Sequence, residues 1–437
     1  MNSNLSVKPC YTFIPVTESD VTVDNLATTT GGSAVLFKGK QIKNLYKVPT
    51  IVNSPSKRKV KIAIIVAYHY PALLSDLNVY WNNPAIGYNF GADLVYDNIT
   101  EDFIEKPPIP PKPPSVIVHN LAGTSSTSDI SWAVEECLDL QCVCALNPYA
   151  EIHVVESTDS SISNILTAIQ YAVTTIKADI ISMSFGIEDY GTFNIDKINN
   201  YFINTNTCFC ASTGDYYSAN WPSTSPNVIA VGGTSLYATN VSSVTPTYLY
   251  ETPWNTNLSE GGGCGYSLSF SKPYYQKNLT PLTNTYNRTI PDVSLVGDFT
   301  TGTYVYCSAK NGWLGLGGTS LSCPIFASIL STAIQQRIND NKTVLTSVYS
   351  RNSGIIKEPI NSSSIPYNNI QNYLYKSLYT SNYNNIFNDI PSGSNTIGTG
   401  TDGTNITFYT GVGYDIPSGL GSVNATNLSN ILNLTGI

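Results

Sequence analysis

Ser320 stands in the stretch Gly317-Gly318-Thr319-Ser320-Leu321-Ser322-Cys323-Pro324, directly ahead of an apolar run from Ile325 to Ile334. The glycine pair and the Thr-Ser step predict a tight turn that delivers Ser320 to the N-terminus of a buried helix. Unpaired backbone N–H groups and the helix dipole favour developing negative charge there. A serine nucleophile needs its oxyanion stabilised at such a place. Serine is also a common helix cap, and the octapeptide alone leaves both readings open.

A nucleophile needs a base. The chain has three histidines, His69, His119 and His153, and none lies in a His-Gly-Thr setting. The segment Trp132 to Leu140 instead carries Glu135 and Asp139 four residues apart in a helical pattern. That spacing puts both on one helix face, where two carboxylates repel and one tends to hold a proton. A solvated acidic face is the commoner meaning of such a pair. Here Ala133, Val134, Cys137, Leu138 and Leu140 surround it on every side, which predicts a buried helix. Carboxylates are seldom buried without partners.

With these residues in view, the chain resembles the sedolisins, or serine-carboxyl peptidases, in which Glu and Asp replace the catalytic histidine of a subtilisin-like fold. Glu135-Glu136-Cys137-Leu138-Asp139, followed by Ala145-Leu146-Asn147-Pro148-Tyr149-Ala150, is similar to the family's catalytic helix and its exit into a strand. Thr213-Gly214-Asp215, Trp221-Pro222 and Val228 to Thr234 resemble its oxyanion-aspartate block. Gly261 to Ser267, Tyr274-Tyr275-Gln276 and Pro291-Asp292-Val293-Ser294 resemble its linking segments. The resemblance implies Ser320 as nucleophile, Glu135 as general base and Asp139 as its partner. It implies Asp215 as the acid that hydrogen-bonds the oxyanion, and an edge around Ser184 and Gly186 that pairs with extended substrate. Phe387-Asn388-Asp389-Ile390 and Gly411-Val412-Gly413-Tyr414-Asp415 resemble the family's calcium site. One Ca²⁺ would be held there by the Asp389 and Asp415 side chains and the carbonyls of Ile390, Gly411 and Gly413; oxygen donors suit a hard cation. A metal-free Gly/Asp loop is the alternative. Many relatives add an outer Glu and a Trp. Here the first strand ends Val66-Ala67-Tyr68-His69 without an acid, and Phe185 takes the aromatic position.

The elements that must position these residues follow from pattern. Val60 to Tyr68 reads as a buried strand, as parallel sheets require. Strands at Val116–His119, Glu151–Glu156, Ile180–Ser184 and Cys208–Ser212 alternate with helical patterns at Ser131–Leu146, Ile162–Ile176 and Ile195–Ile203. This predicts one large α/β domain, a mostly parallel sheet with helices on both faces. Residues 1–40 read as an extension or lead-in and 41–437 as the peptidase-like domain. Pro107–Pro114 reads as a spacer, and Thr280–Thr289 and Ser350–Asn385 as loops.

Of 437 residues 12% are charged, and the net charge is −8, against about 25% charged in ordinary domains. Sparse ion pairing leaves less to lose in acid. An acidic chain whose one basic cluster is Lys57-Arg58-Lys59 does not suit nucleic acid. No apolar run approaches a membrane span, and Met1 to Asp20 lacks the pattern of a secretory signal. Nine cysteines without zinc spacing read as reduced core thiols. The expected protein is a monomeric peptidase acting on peptides or proteins. Two alternatives remain: a weak or inactive peptide-binding homologue, and a histidine-dependent enzyme using His119.

Overall fold

The computed structural model of the chain describes residues 5–16, 35–84, 86, 93–97, 102–106, 114–125, 127–189, 198–256, 260–279, 282, 286–348, 368–397 and 406–434. The elements that matter begin with short strands β1 (Lys8–Pro9) and β2 (Thr12–Pro15). Five follow: β3 (Lys61–Ala67), β4 (Val116–Asn120), β5 (Glu151–Ser157), β6 (Ile180–Met183) and β7 (Phe185–Glu188). The last five are β8 (Cys208–Ser212), β9 (Ile229–Thr239), β10 (Thr247–Pro253), β11 (Val293–Val296) and β12 (Gly312–Gly317). Three helices complete the frame: α1 (Ile130–Leu146), α2 (Ile162–Tyr171) and α3 (Thr319–Asn339).

The central sheet has the order β10-β9-β8-β6-β3-β5-β4, with β11 also pairing β9. All its pairings are parallel except β9 with β10. Ile62 to Ala67 in β3 are all fully buried. Side chains alternate across a strand, so both sheet faces at β3 are covered, and helices α1, α2 and α3 all contact β3. Parallel strands end together, and ligands of such sheets sit outside their carboxyl ends. Tyr68 follows β3, Ser184 follows β6 and Thr213-Gly214-Asp215 follows β8, so one edge of the sheet gathers the candidate residues.

Several expectations are corrected. Of the Ile195–Ile203 pattern, residues 195–197 lie outside the described residues, Ile198 is helical and Asn199–Phe202 form a 3₁₀ turn. Asparagine competes with the backbone for hydrogen bonds, and the Asn204 side chain accepts from the Asn206 amide at 2.9 Å. The helix begun at Ile162 ends its α form at Tyr171 and closes with a single π turn to Ile176. Within the expected loops, Asn287–Ile290 is a strand, and Ile370–Ser377 and Tyr383–Ile386 are helices. The first of these helices is capped by Asn369, which accepts from the Asn372 amide at 2.7 Å. Asn-rich composition masked a cap. Residues 107–113 of the proline-rich stretch lie outside the described residues. Inside the expected lead-in, β1 pairs with β7 and β2 with β12.

Candidate active site

The turn before α3 depends on Gly318, whose φ is +104°, a region that favours glycine. A methyl group there would stand 2.2 Å from the Cys10 carbonyl oxygen and 2.6 Å from Asp215 Oδ2. The first N–H of the helix, from Thr319, donates to Asp215 Oδ1 at 2.8 Å, and the Thr319 hydroxyl donates to the same oxygen at 2.8 Å. The next N–H, from Ser320, donates to the Cys10 carbonyl at 2.9 Å. Pro324 has no N–H to give the Ser320 carbonyl; the Ser184 hydroxyl reaches that oxygen instead, at 3.3 Å. The Ser320 hydroxyl donates to the Ser184 carbonyl at 3.0 Å, and its oxygen accepts from the Cys10 amide at 3.1 Å.

Helix α1 starts on Asp129, whose side chain accepts from Ser131 and Trp132 amides at 2.8 and 3.1 Å. From Trp132 to Leu146 every residue of α1 is buried, so Glu135 and Asp139 lie inside. The Ser184 hydroxyl donates to Asp139 Oδ1 at 2.6 Å. Asp139 Oδ2 and both Glu135 oxygens are buried without a hydrogen bond. Burial, and next the Asp139 charge, push the Glu135 carboxyl well above the usual range. Burial likewise raises Asp139, opposed by Ser184. One proton between the two relieves their repulsion.

Asp215 is buried and turns Oδ1 to Thr319, while Oδ2 has no partner. Burial pushes its carboxyl up to about 7, against the opposing Thr319 amide and hydroxyl. A neutral Asp215 therefore carries a hydroxyl beside the spot where the Ser320 N–H already grips a carbonyl oxygen. Two donors converging on one oxygen can stabilise a tetrahedral anion.

The structure thus brings Glu135, Asp139, Asp215, Ser184 and Ser320 together. Gly186 lies in β7, paired with Lys8 on one side; the other edge of β7 takes Asn220–Trp221. His119 bonds His153 at 2.9 Å and Tyr171 at 3.2 Å, a cluster apart from Ser320. Sequence reasoning missed two features. One is Cys10, which sits in the site although nothing in its polar surroundings signals this. The other is a second acid pair behind the first. Glu136 is buried, and burial and then the Glu156 charge hold its carboxyl well above the usual range. Glu156 in turn meets His69 Nδ1 at 2.6 Å. The adjacent acids Glu135 and Glu136 were the signal available for it.

Of the candidate metal residues, Asp389 meets the Gly413 amide and Asp415 the Gly411 amide. Asp389 Oδ1 accepts from the Tyr383 hydroxyl at 2.9 Å and the Gly413 amide at 3.1 Å. Asp415 accepts from Ser418 N and Oγ at 2.8 and 2.7 Å and from the Gly411 amide at 3.1 Å. Burial raises the Asp415 carboxyl, and the Asp389 charge adds to that shift. Among the described residues no Lys or Arg pairs with either. Two acids gathered without a cation fit a hard metal ion.

Residues 130–380 match the profile of the subtilase family. Sedolisin of Pseudomonas sp. (strain 101) is 33% identical over 229 residues, 51% of this chain and 32% of that protein. Kumamolisin of Bacillus sp. (strain MN-32) is 29% identical over 222 residues, 46% of this chain and 39% of that protein. The matches thus span less than half the length of these curated relatives. The solved structure of Pseudomonas sedolisin, a serine-carboxyl proteinase complexed with two molecules of pseudo-iodotyrostatin, superposes with a TM-score of 0.66 at 23% identity. That superposition covers 93% of this chain and 100% of the sedolisin chain. The fold is the subtilisin-like one.

Proposed function

The chain belongs to the subtilase family, on its sedolisin side, and from that premise we propose that it is a serine-carboxyl peptidase acting in acid on peptides or proteins. Ser320 Oγ attacks the substrate carbonyl while Glu135 takes the hydroxyl proton and later returns it to the leaving amine. Asp139, held by Ser184, orients Glu135 and shares a proton with it. Asp215 in its neutral form and the Ser320 N–H hold the oxyanion. The edge of β7 at Ser184 and Gly186 aligns extended substrate by strand addition. One observation carries this reading: Gly318 packs against both the unpartnered Asp215 Oδ2 and the carbonyl oxygen that accepts from the Ser320 N–H.

One Ca²⁺ is part of the proposal, held by Asp389 and Asp415 and by the carbonyls of Ile390, Gly411 and Gly413. It would neutralise the two acids and clamp the 411–415 loop to the 389 segment.

The test is cleavage of a mixed peptide library as a function of pH, with wild type and the variants Ser320→Ala and Glu135→Gln. Activity confined to the acid side and lost in both variants is the expected result. Glutamine keeps shape but accepts no proton, and a general base is worth about 10²–10⁴ in rate. Retention of more than about a tenth of the activity by Glu135→Gln would sink the Ser-Glu-Asp assignment. Folded wild type inert at every pH would favour a peptide-binding homologue.

A further inference from the structure

A second group of ligand-bearing side chains meets on the far face of α1. Cys137 lies midway between Glu135 and Asp139, so at about 3.6 residues per turn it points away from both. It meets Asp76, from the helix Leu73–Asn82, and Cys307, which ends the strand Thr303–Cys307. These two elements and α1 all touch one another. Cys137 Sγ, Cys307 Sγ and a carboxylate oxygen of Asp76 lie within 4.8 Å of one another, and all three residues are buried. Cys137 Sγ donates to Asp76 Oδ2 at 3.9 Å, and Cys307 Sγ donates to the Tyr70 hydroxyl oxygen at 3.9 Å.

Asp76 Oδ2 otherwise accepts from the Tyr70 hydroxyl at 2.6 Å, the Ser308 amide at 2.8 Å and the Ser308 hydroxyl at 3.1 Å. All of these donors are neutral. Among the described residues no Lys, Arg or His makes an ion pair with Asp76. A buried carboxylate calls for a counter-charge, from a basic side chain or from a metal. Two thiols beside it select a thiophilic metal. A tetrahedral zinc ion sets its sulfur and oxygen ligands roughly 3.3–3.8 Å apart, close to the 3.9 Å between Cys137 and Asp76.

We propose that Asp76, Cys137 and Cys307 form a zinc site, with the Tyr70 hydroxyl as fourth ligand. The ion replaces the two thiol protons, and two thiolates and a carboxylate meet its charge. Four protein ligands leave no open position, which makes the site structural. The Ser308 amide and hydroxyl keep the Asp76 carboxylate oriented toward it, and Ser308 is itself exposed, which gives the ion a short way in. The ligands come from positions too far apart in sequence to show a zinc spacing. The strand Thr303–Cys307 pairs with β12, which runs into the turn before Ser320. The ion thus ties the helix bearing Glu135 to the hairpin that delivers Ser320. None of this rests on the peptidase reading; an inert protein should bind the ion equally well.

The test is titration of the full, reduced chain at neutral pH and saturating calcium, with Co²⁺ as a spectroscopic stand-in for zinc. One equivalent should give a thiolate-to-cobalt absorption band and the visible bands of a tetrahedral ion, and added zinc should abolish both. Calcium-site oxygens give no such band. The double variant Cys137→Ser/Cys307→Ser should lose the thiolate band, Cys144→Ser should keep it, and Asp76→Asn should weaken zinc more than about tenfold. X-ray absorption of zinc-loaded wild type, which needs no variant, should show two sulfur neighbours at about 2.3 Å. A zinc shell without sulfur, no thiolate band in folded reduced protein, or a band that survives in the double variant would overturn the site.

Discussion

At the scale of single residues, the proposed preference for acid rests on Asp215. Its folded pKa is raised, to about 7, chiefly by burial. In the proposed mechanism the carboxyl is neutral below that pH and donates to the oxyanion; above it, a carboxylate would repel the same charge. Activity should therefore fall on the alkaline side even as Glu135 becomes a better proton acceptor. Asparagine is nearly isosteric, neutral at every pH and keeps an N–H donor. Asp215→Asn should thus retain more activity than Asp215→Ala and hold it to higher pH; losing an oxyanion donor costs about 10²–10³ in rate. If the two variants are equally inactive in a pH-rate measurement, the role given to Asp215 is wrong. Ser320, Glu135 and Asp139 were legible because their spacing within apolar runs has a physical reading. Cys10 was not legible, because its place depends on pairing with residues that are remote in sequence: its partner Ser320 lies 310 positions away. The Glu156–His69 contact was hidden for the same reason: it joins the second residue past β3 to the body of β5, strands that only the folded sheet sets side by side.

At the scale of elements, periodicity predicted α1 almost to the residue, since the run from Ile130 to Leu146 is long, apolar and bounded by an acidic cap. It also predicted β3, β5, β6 and β8 within a residue or two, because buried parallel strands leave continuous apolar runs. Short elements built from Asn, Tyr and Ser, such as Ile370–Ser377, have no such signal. The 411–415 loop is one of these quiet segments, ordered around carboxylates rather than apolar side chains. If Ca²⁺ is what joins Asp389 to Asp415, the ion binds the folded state alone and stabilises it by RT ln(1 + [Ca²⁺]/Kd), about 2.7 kcal/mol at a hundred times Kd. Chelation should then lower the melting temperature of the Ser320→Ala protein, and Asp415→Asn should blunt that response. Native protein free of calcium by elemental analysis, with melting indifferent to chelator, would remove the site from the account.

At the scale of the whole molecule, the interior holds an unusual set of acids rather than ion pairs. Glu135, Glu136, Asp139, Asp215 and Glu251 are all buried, and burial is the leading cause that raises each carboxyl. Among the described residues the one ion pair with both side chains fully buried is Arg288–Asp292, at 2.6 Å. Its acid also accepts from the Tyr375 hydroxyl at 2.6 Å and the Ala230 amide at 2.9 Å. The sign of the pH dependence follows from linkage. A carboxyl whose folded pKa exceeds its unfolded value holds its proton more tightly in the native state. Its contribution to stability is complete below the unfolded value and is lost as the pH rises through the folded one. For Asp215 that window runs from 3.8 to about 7. At about 1.4 kcal/mol per unit it is worth on the order of 4 kcal/mol at most. Glu151 and Asp159, whose carboxyls are lowered, act in the opposite sense, but both are partly exposed, and exposed pairs contribute little. The fold should accordingly be more stable in acid than near neutrality, the reverse of a protein tied together by carboxylate ion pairs. Thermal melting of Ser320→Ala at saturating calcium should show a melting temperature several degrees higher near pH 4 than near pH 8. Adding Asp215→Asn should flatten that slope without reversing it, since the remaining buried acids still titrate. A melting temperature that climbs from acid to neutral pH would mean that these carboxyls are ionised in the native state. Asp215 would then have no proton to offer the oxyanion.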